Sequence, residues 1–166
     1  MSEPITALQE MLKGATINVS SPLFGIKKVY FGDPVLIPAS SLPALTISPK
    51  EDIFDRRGSR YDQKNHKIEI RLVYNQRDFF GAEGSDEEKV AIVADCLAKI
   101  GEVTDHSTDA LTVCWLIQNN PSLTYTDWNA SEDCRVVSVT YWLTSERGFA
   151  TYEAVVEVMV KVIGDR

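Results

Sequence analysis

The segment KIEIRLVY, residues 67–74, decides how the rest of the chain is read, because Lys67, Glu69 and Arg71 alternate with Ile68, Ile70, Leu72 and Tyr74. A period of two puts one set against a core and the other in solvent, the pattern of a half-buried strand. On its C-terminal side Gly81-Ala82-Glu83-Gly84 breaks the strand. Ser85-Asp86-Glu87-Glu88 then reads as a capping box, with Ser85 accepting from the helix start and Glu88 reaching back. The helix that follows carries Val90, Val93, Cys96, Leu97 and Ile100 at helical spacing, acids in its first turn, and Gly101 as its stop. It is expected to pack on the sheet.

On the N-terminal side lies DRRGSRYDQKNHK, residues 55–67, preceded by an extended segment from Ala44 to Phe54. Read as a connection between paired strands, it exceeds the about two to five residues that hairpins prefer. Long loops in compact domains tend to be functional or disordered. This one is basic: Arg56, Arg57, Arg60, Lys64 and Lys67 fall within it.

Farther out, Ile5, Leu8, Met11 and Leu12 form one helical stripe, with Pro4 suited to the first turn and Gly14 to the stop. KVYFGDPVLIPA, residues 28–39, is apolar but interrupted by Gly32 and Pro34, which suits an edge or hairpin-like element. Thr104 to Asp109 is a polar turn. LTVCWLIQ, residues 111–118, fits either a buried strand or a short helix ended by Pro121, and both readings stay open. Two long runs, Arg135–Thr144 and Tyr152–Ile163, are joined by Ser145-Glu146-Arg147-Gly148 and predict an antiparallel hairpin. On the second of them Tyr152, Ala154, Val156, Val158, Val160 and Val162 share one face. Val155, Met159 and Ile163 lie on the other among Glu153, Glu157 and Lys161. Burial on both sides would follow from a second subunit or from a second helix layer of the same chain. The fold class expected is α+β: a single domain over residues 1–166, two layers, a mainly antiparallel sheet with a long β-hairpin, and two or three flanking helices.

Composition narrows the function. With 44% hydrophobic and 25% charged residues the chain is of the soluble globular kind. No run of about 18 apolar residues exists and the N-terminus lacks a signal core, so no membrane partner and a cytoplasmic site of synthesis are expected. The sequon Asn129-Ala130-Ser131 then has no use. A net charge of −7 argues against a surface built wholly for nucleic acid. The charge is unevenly spread: residues 50–77 stand at +3 and residues 78–133 at −10. Faces of opposite sign let copies or unlike partners recognise one another head to tail.

Catalytic signatures are missing. His66 and His106 are the only histidines, which excludes a multi-histidine metal site. Asp105-His106-Ser107-Thr108-Asp109 matches no ligand set and suits a polar helix-entry turn. No phosphate-cradling or serine-elbow motif occurs. Cys96, Cys114 and Cys134 are odd in number, widely spaced and on apolar faces, hence buried thiols rather than a disulfide framework or a nucleophile paired with His106. Tyr141 and Trp142 are strand neighbours and point to opposite faces, so they form no common stacking platform. The expectation is a protein that is not an enzyme and carries no cofactor. The basic stretch keeps three readings: plain solvated surface, a nucleic-acid contact through Arg56, Arg57, Arg60 and Lys64 with Tyr61 to stack, or a protein docking arm. Its placement favours the last, with Arg56, Arg57, Arg60, Tyr61, Lys64 and Lys67 as docking residues.

A short N-terminal helix, proline-interrupted strands, a hairpin with a charged tip at Asp55–Lys67, a capped helix after KIEIRLVY and a closing pair of long strands together resemble the tail terminator proteins of long-tailed bacteriophages. The segment from Thr104 to Asp133 is longer than in compact members of that family. The resemblance implies a virion subunit, made in the host cytoplasm, that forms a hexameric ring. Such a ring caps the last ring of tail tube protein, ends tube growth and offers a surface to the head–tail connector protein. DNA passes through it without specific binding, and residues 55–67 would reach the neighbouring ring. Another neck or tube subunit, or a small non-enzymatic nucleic-acid- or ligand-binding protein, is the alternative.

Overall fold

The computed structural model describes residues 3–32, 34, 36–57, 61–75, 86–102, 110–125, 128–129, 133–146 and 149–165. Along the chain run helix α1 (Glu3–Ile17), strand β1 (Lys28–Phe31), a 3-10 turn (Ala39–Ser41), β2 (Ala44–Arg57), β3 (Tyr61–Asn75), helix α2 (Asp86–Ile100), helix α3 (Val113–Gln118), the short β4 (Thr124–Tyr125) and β5 (Trp128–Asn129), β6 (Asp133–Glu146) and β7 (Phe149–Asp165). The main sheet has the order β1-β2-β3-β7-β6, and β4 pairs with β5 alone. Every main-sheet pairing is antiparallel except β1 on β2. The fold is α+β, as the alternation predicts.

KIEIRLVY lies in the middle of this sheet. Ile68, Ile70, Leu72 and Tyr74 are fully buried and face Val158, Val156, Ala154 and Tyr152 of β7. The same cluster holds Leu8 and Leu12 of α1, Ile92 and Cys96 of α2, and Cys114 and Ile117 of α3. All three helices therefore share the inner face of the sheet, and the closing hairpin stands where expected, β6 on β7.

Two expectations for the helices are revised, and one reading left open is decided. Helix α1 runs through Gly14 to Ile17 because Gly14 sits on the solvent side while the next residue, Ala15, is buried in the core. LTVCWLIQ is a helix: the Thr112 hydroxyl accepts from the Trp115 amide at 3.2 Å, an N-cap, and Val113, Cys114, Leu116 and Ile117 are buried at helical spacing. Gly101 ends α2 with φ +74°, as expected of a glycine stop.

The second revision concerns the rotation of α2. The expected stripe included Val90, Val93 and Leu97, yet these are 67%, 37% and 48% exposed, while Ile92, Cys96 and Ile100 are buried. Two apolar stripes compete on this helix, and a polar contact selects between them. Tyr74 is buried in the core, and its hydroxyl donates to Asp95 at 2.7 Å, with Lys99 on the same carboxylate at 2.6 Å. A buried hydroxyl needs a partner, and Asp95 meets Tyr74 only when the Ile92–Cys96–Ile100 stripe faces inward. The capping box at Ser85–Glu88, the Gly81–Gly84 break, the polar turn at Thr104–Asp109 and the turn at Arg147–Gly148 lie outside the described residues, wholly or in their side chains.

Two tests follow from this packing. Gly14→Ala, with open space for the new methyl, should stabilise the protein by about 0.5–1 kcal/mol and raise the melting temperature by a few degrees. Gly101→Ala should lower it, because a Cβ there would lie 2.2 Å from the Thr112 hydroxyl at a positive φ. Asp95→Ala, measured by urea denaturation, should cost about 1–3 kcal/mol by withdrawing the acceptor from Tyr74 and Lys99. A smaller loss for Tyr74→Phe is expected, since it removes donor and need together.

Candidate docking arm

Beyond the helix layer the sheet continues as an arm. Pairing of β2 with β3 runs on to Arg56↔Asp62 and Arg57↔Tyr61, and β7 follows β3 as far as Tyr61↔Asp165. The expected loop at residues 55–67 is thus corrected to two strand ends, with only residues 58–60 left between them. The reason is that β3 is flanked on both edges here, so its backbone groups are satisfied by the ladder. Clustered charge, read as a loop signal, is instead accommodated by cross-strand partners of opposite sign.

The arm begins at a β-bulge. Pro49 pairs with Ile68 and Glu51 with Lys67, leaving Lys50 as the extra residue. An inserted residue inverts the alternation beyond it. Before the bulge Leu45 and Ile47 face the core; after it Asp52 and Phe54 occupy that face and Ile53 turns to the other. Asp52 Oδ1 lies 2.7 Å from His66 Nδ1 and Oδ2 lies 2.9 Å from Lys64 Nζ. Lys64, and with it His66, holds the Asp52 carboxyl below the usual carboxylate range. Lys64 Nζ also stands 5.2 Å over the Phe54 ring, its cross-strand partner. The cation thus joins Asp52 to an aromatic ring that is 70% exposed, and Ile53 is 41% exposed on the opposite face.

The opposite face of the sheet body is a ladder of ion pairs. Glu69 takes Lys50 at 3.0 Å and a hydrogen bond from Arg71 Nε, Arg71 Nη1 lies 3.8 Å from Glu153, and Lys67 lies 3.8 Å from Glu157. Ser138 donates to Glu157 at 3.0 Å. Val155 is 4% exposed within this ladder, between Arg71 and Thr140 in register. Its burial needs no second helix layer, and the residues around 37–42 cover a small patch of Leu42, Ala44 and Val73 on this side.

Of the six docking residues read from sequence, Lys64 and Lys67 are committed to Asp52 and Glu157 of the same chain. Arg56, Arg57 and Tyr61 occupy the last ladder positions, with their side chains outside the described residues. Arg60, with Gly58 and Ser59, lies outside them altogether. Phe54 and Ile53 were missed. The available signal was an Ile-Phe pair immediately before a basic run, just past a Pro-Lys step where a bulge can form.

The thiols are as expected. Burial pushes Cys96 and Cys134 up to about 12 and Cys114 up to about 11, which suppresses thiolate at neutral pH. His106 and the Asp105–Asp109 cluster lie outside the described residues, and among those described no group of three His, Cys, Asp or Glu is placed to hold a metal. No helix among them is long and apolar enough to cross a membrane. Tyr141 faces the core side and Trp142 the other, as neighbours on a strand must.

The thiols carry a pH signature. Unfolded cysteines ionise near their ordinary 9.0, whereas the buried ones hold their protons to about 11 or 12. Above that lower value the unfolded state binds fewer protons, so stability contributed by the neutral thiols is full below pH ~9 and declines as pH rises. Urea midpoints under reducing conditions should fall from pH ~8 to pH ~10, and the fall should be smaller in Cys134→Ala.

No protein-family model and no curated protein sequence matches this chain.

Proposed function

We propose that this chain is a structural subunit that assembles into a ring, and that its ring is the tail terminator of a long-tailed phage: hexameric, seated on the last ring of tail tube protein and facing the head–tail connector. The observation that carries the reading is the three-stranded arm. Strands β2, β3 and β7 extend past the helices and hold Phe54 and Ile53 in solvent, with Arg56 and Arg57 at the end. A paired arm is stiff, and an exposed aromatic on a stiff support is the kind of group that anchors a protein interface. The charge separation supports assembly: residues 50–77 at +3 can meet residues 78–133 at −10 on a neighbour. Acidic surface near the channel keeps passing DNA from sticking.

Lys64 and Lys67 bear on the nucleic-acid alternative. Both are ion-paired within the chain, which weakens the patch available for phosphate.

Purified protein added to polymerising tail tubes of its phage should shorten them and leave a ring at one end in negative-stain images. Arg56→Glu combined with Arg57→Glu should abolish capping while the melting temperature changes little. Tubes that grow to unchanged length in the presence of the wild-type protein would overturn the reading.

A further inference from the structure

The exposed flank of α2 needs an explanation that the fold does not provide. Val90, Val93 and Leu97 lie on one side of the helix, 67%, 37% and 48% exposed, next to a first turn whose sequence is Asp86-Glu87-Glu88. The arm carries the complementary chemistry: Phe54 at 70% exposure, within residues 50–77, which stand at +3 in sequence. One exposed apolar group lies in an acidic stretch of sequence, residues 78–133 at −10, and the other in a basic one.

The two surfaces cannot meet within one chain. Helix α2 is fastened to Tyr74 through Asp95, and Phe54 stands opposite Lys64 on the same strand. Ten residues of extended strand separate those anchor points, roughly 34 Å at ~3.4 Å per residue. Only another molecule can bring an arm to this helix.

We propose that the arm of one copy docks on α2 of a second copy, Phe54 lying against Val90, Val93 and Leu97 while the basic stretch that carries the arm meets the acidic stretch that carries α2. The contact is heterologous, since one surface differs from the other, and it repeats from copy to copy until a ring closes. Burying the aromatic against the aliphatic flank removes from water the large apolar groups that the described surface leaves exposed on these two elements. The opposed charges fix the polarity of the pair. This inference rests on the self-assembly part of the reading above and not on attachment to a tail.

Two single-cysteine additions test it, Phe54→Cys and Val90→Cys, both at exposed positions where folding should be unaffected. The native cysteines are buried and serve as the unreactive background. Mixed and treated with a short bismaleimide, the two variants should give a cross-linked heterodimer at least ten times more abundant than either homodimer. The double variant should give a ladder that stops at the ring number. Charge reversal supplies a second arm: Arg56→Glu with Arg57→Glu should weaken self-association at least tenfold, and Glu87→Arg with Glu88→Arg should restore it. A chain that forms oligomers without the Phe54–Val90 cross-link overturns the inference and leaves ring assembly standing. A chain monomeric in solution that still caps tubes overturns the inference alone. Capture of the arm by a different protein, with no cross-link between copies, counts against it as well.

Discussion

The hydrogen-bond ladder on both edges of β3 is the constraint on which the structure depends. From Tyr61 to Asn75 each residue of β3 pairs with β7, and the opposite edge pairs with β2 from Ala44 to Arg57 with a single interruption. A strand flanked throughout has no free edge, so its length is set by its neighbours and not by the extent of the core. This is why the strand outruns the helices. Where the apolar alternation ends, near Ile68, the backbone pairing does not.

Along this one strand three environments follow in order. At Tyr74 the inner face is dry, and a single hydroxyl–carboxylate contact orients α2 against it. In the middle, Ile68, Ile70 and Leu72 take the greasy underside of all three helices, while Glu69 and Arg71 knit the far side to β2 and β7 by charge. Towards Tyr61, on the face that Lys64 and His66 present, apolar β2 side chains give way to Asp52 and a ring held beneath a cation. Exposed ion pairs of this kind add little stability individually. Their effect is to let charged residues sit close together on a sheet without repulsion.

Much of the body was legible because periodicity reports burial directly. The alternation of 67–74 and the paired runs at 135–144 and 152–163 located the sheet, and the elements appear where the pattern placed them. The rotation of α2 was not legible, since Val90, Val93 and Leu97 are as apolar as Ile92 and Ile100. The choice between them hangs on one contact with a strand residue 21 positions away in sequence. The arm was misread for a related reason. Composition marked residues 55–67 as basic, but whether a charged segment is loop or strand depends on the neighbours that flank it, and β7, which supplies the second edge, lies nearly a hundred residues downstream. Phe54 escaped notice because in sequence it follows closely on the core segment Ala44–Ser48, past Lys50-Glu51-Asp52, and the bulge at Lys50 sets its face.

That bulge has a genetic consequence. Because Lys50 is the unpaired residue, deleting it would join the two registers into one regular ladder, with Glu51 next after Pro49 and Phe54 still opposite Lys64 on the same face. The strand would remain long and the ladder intact, and the aromatic would keep its side of the subunit. Loss of that single codon is therefore absorbed at the bulge, and related chains that differ by one residue at this point would present the same face from the same scaffold.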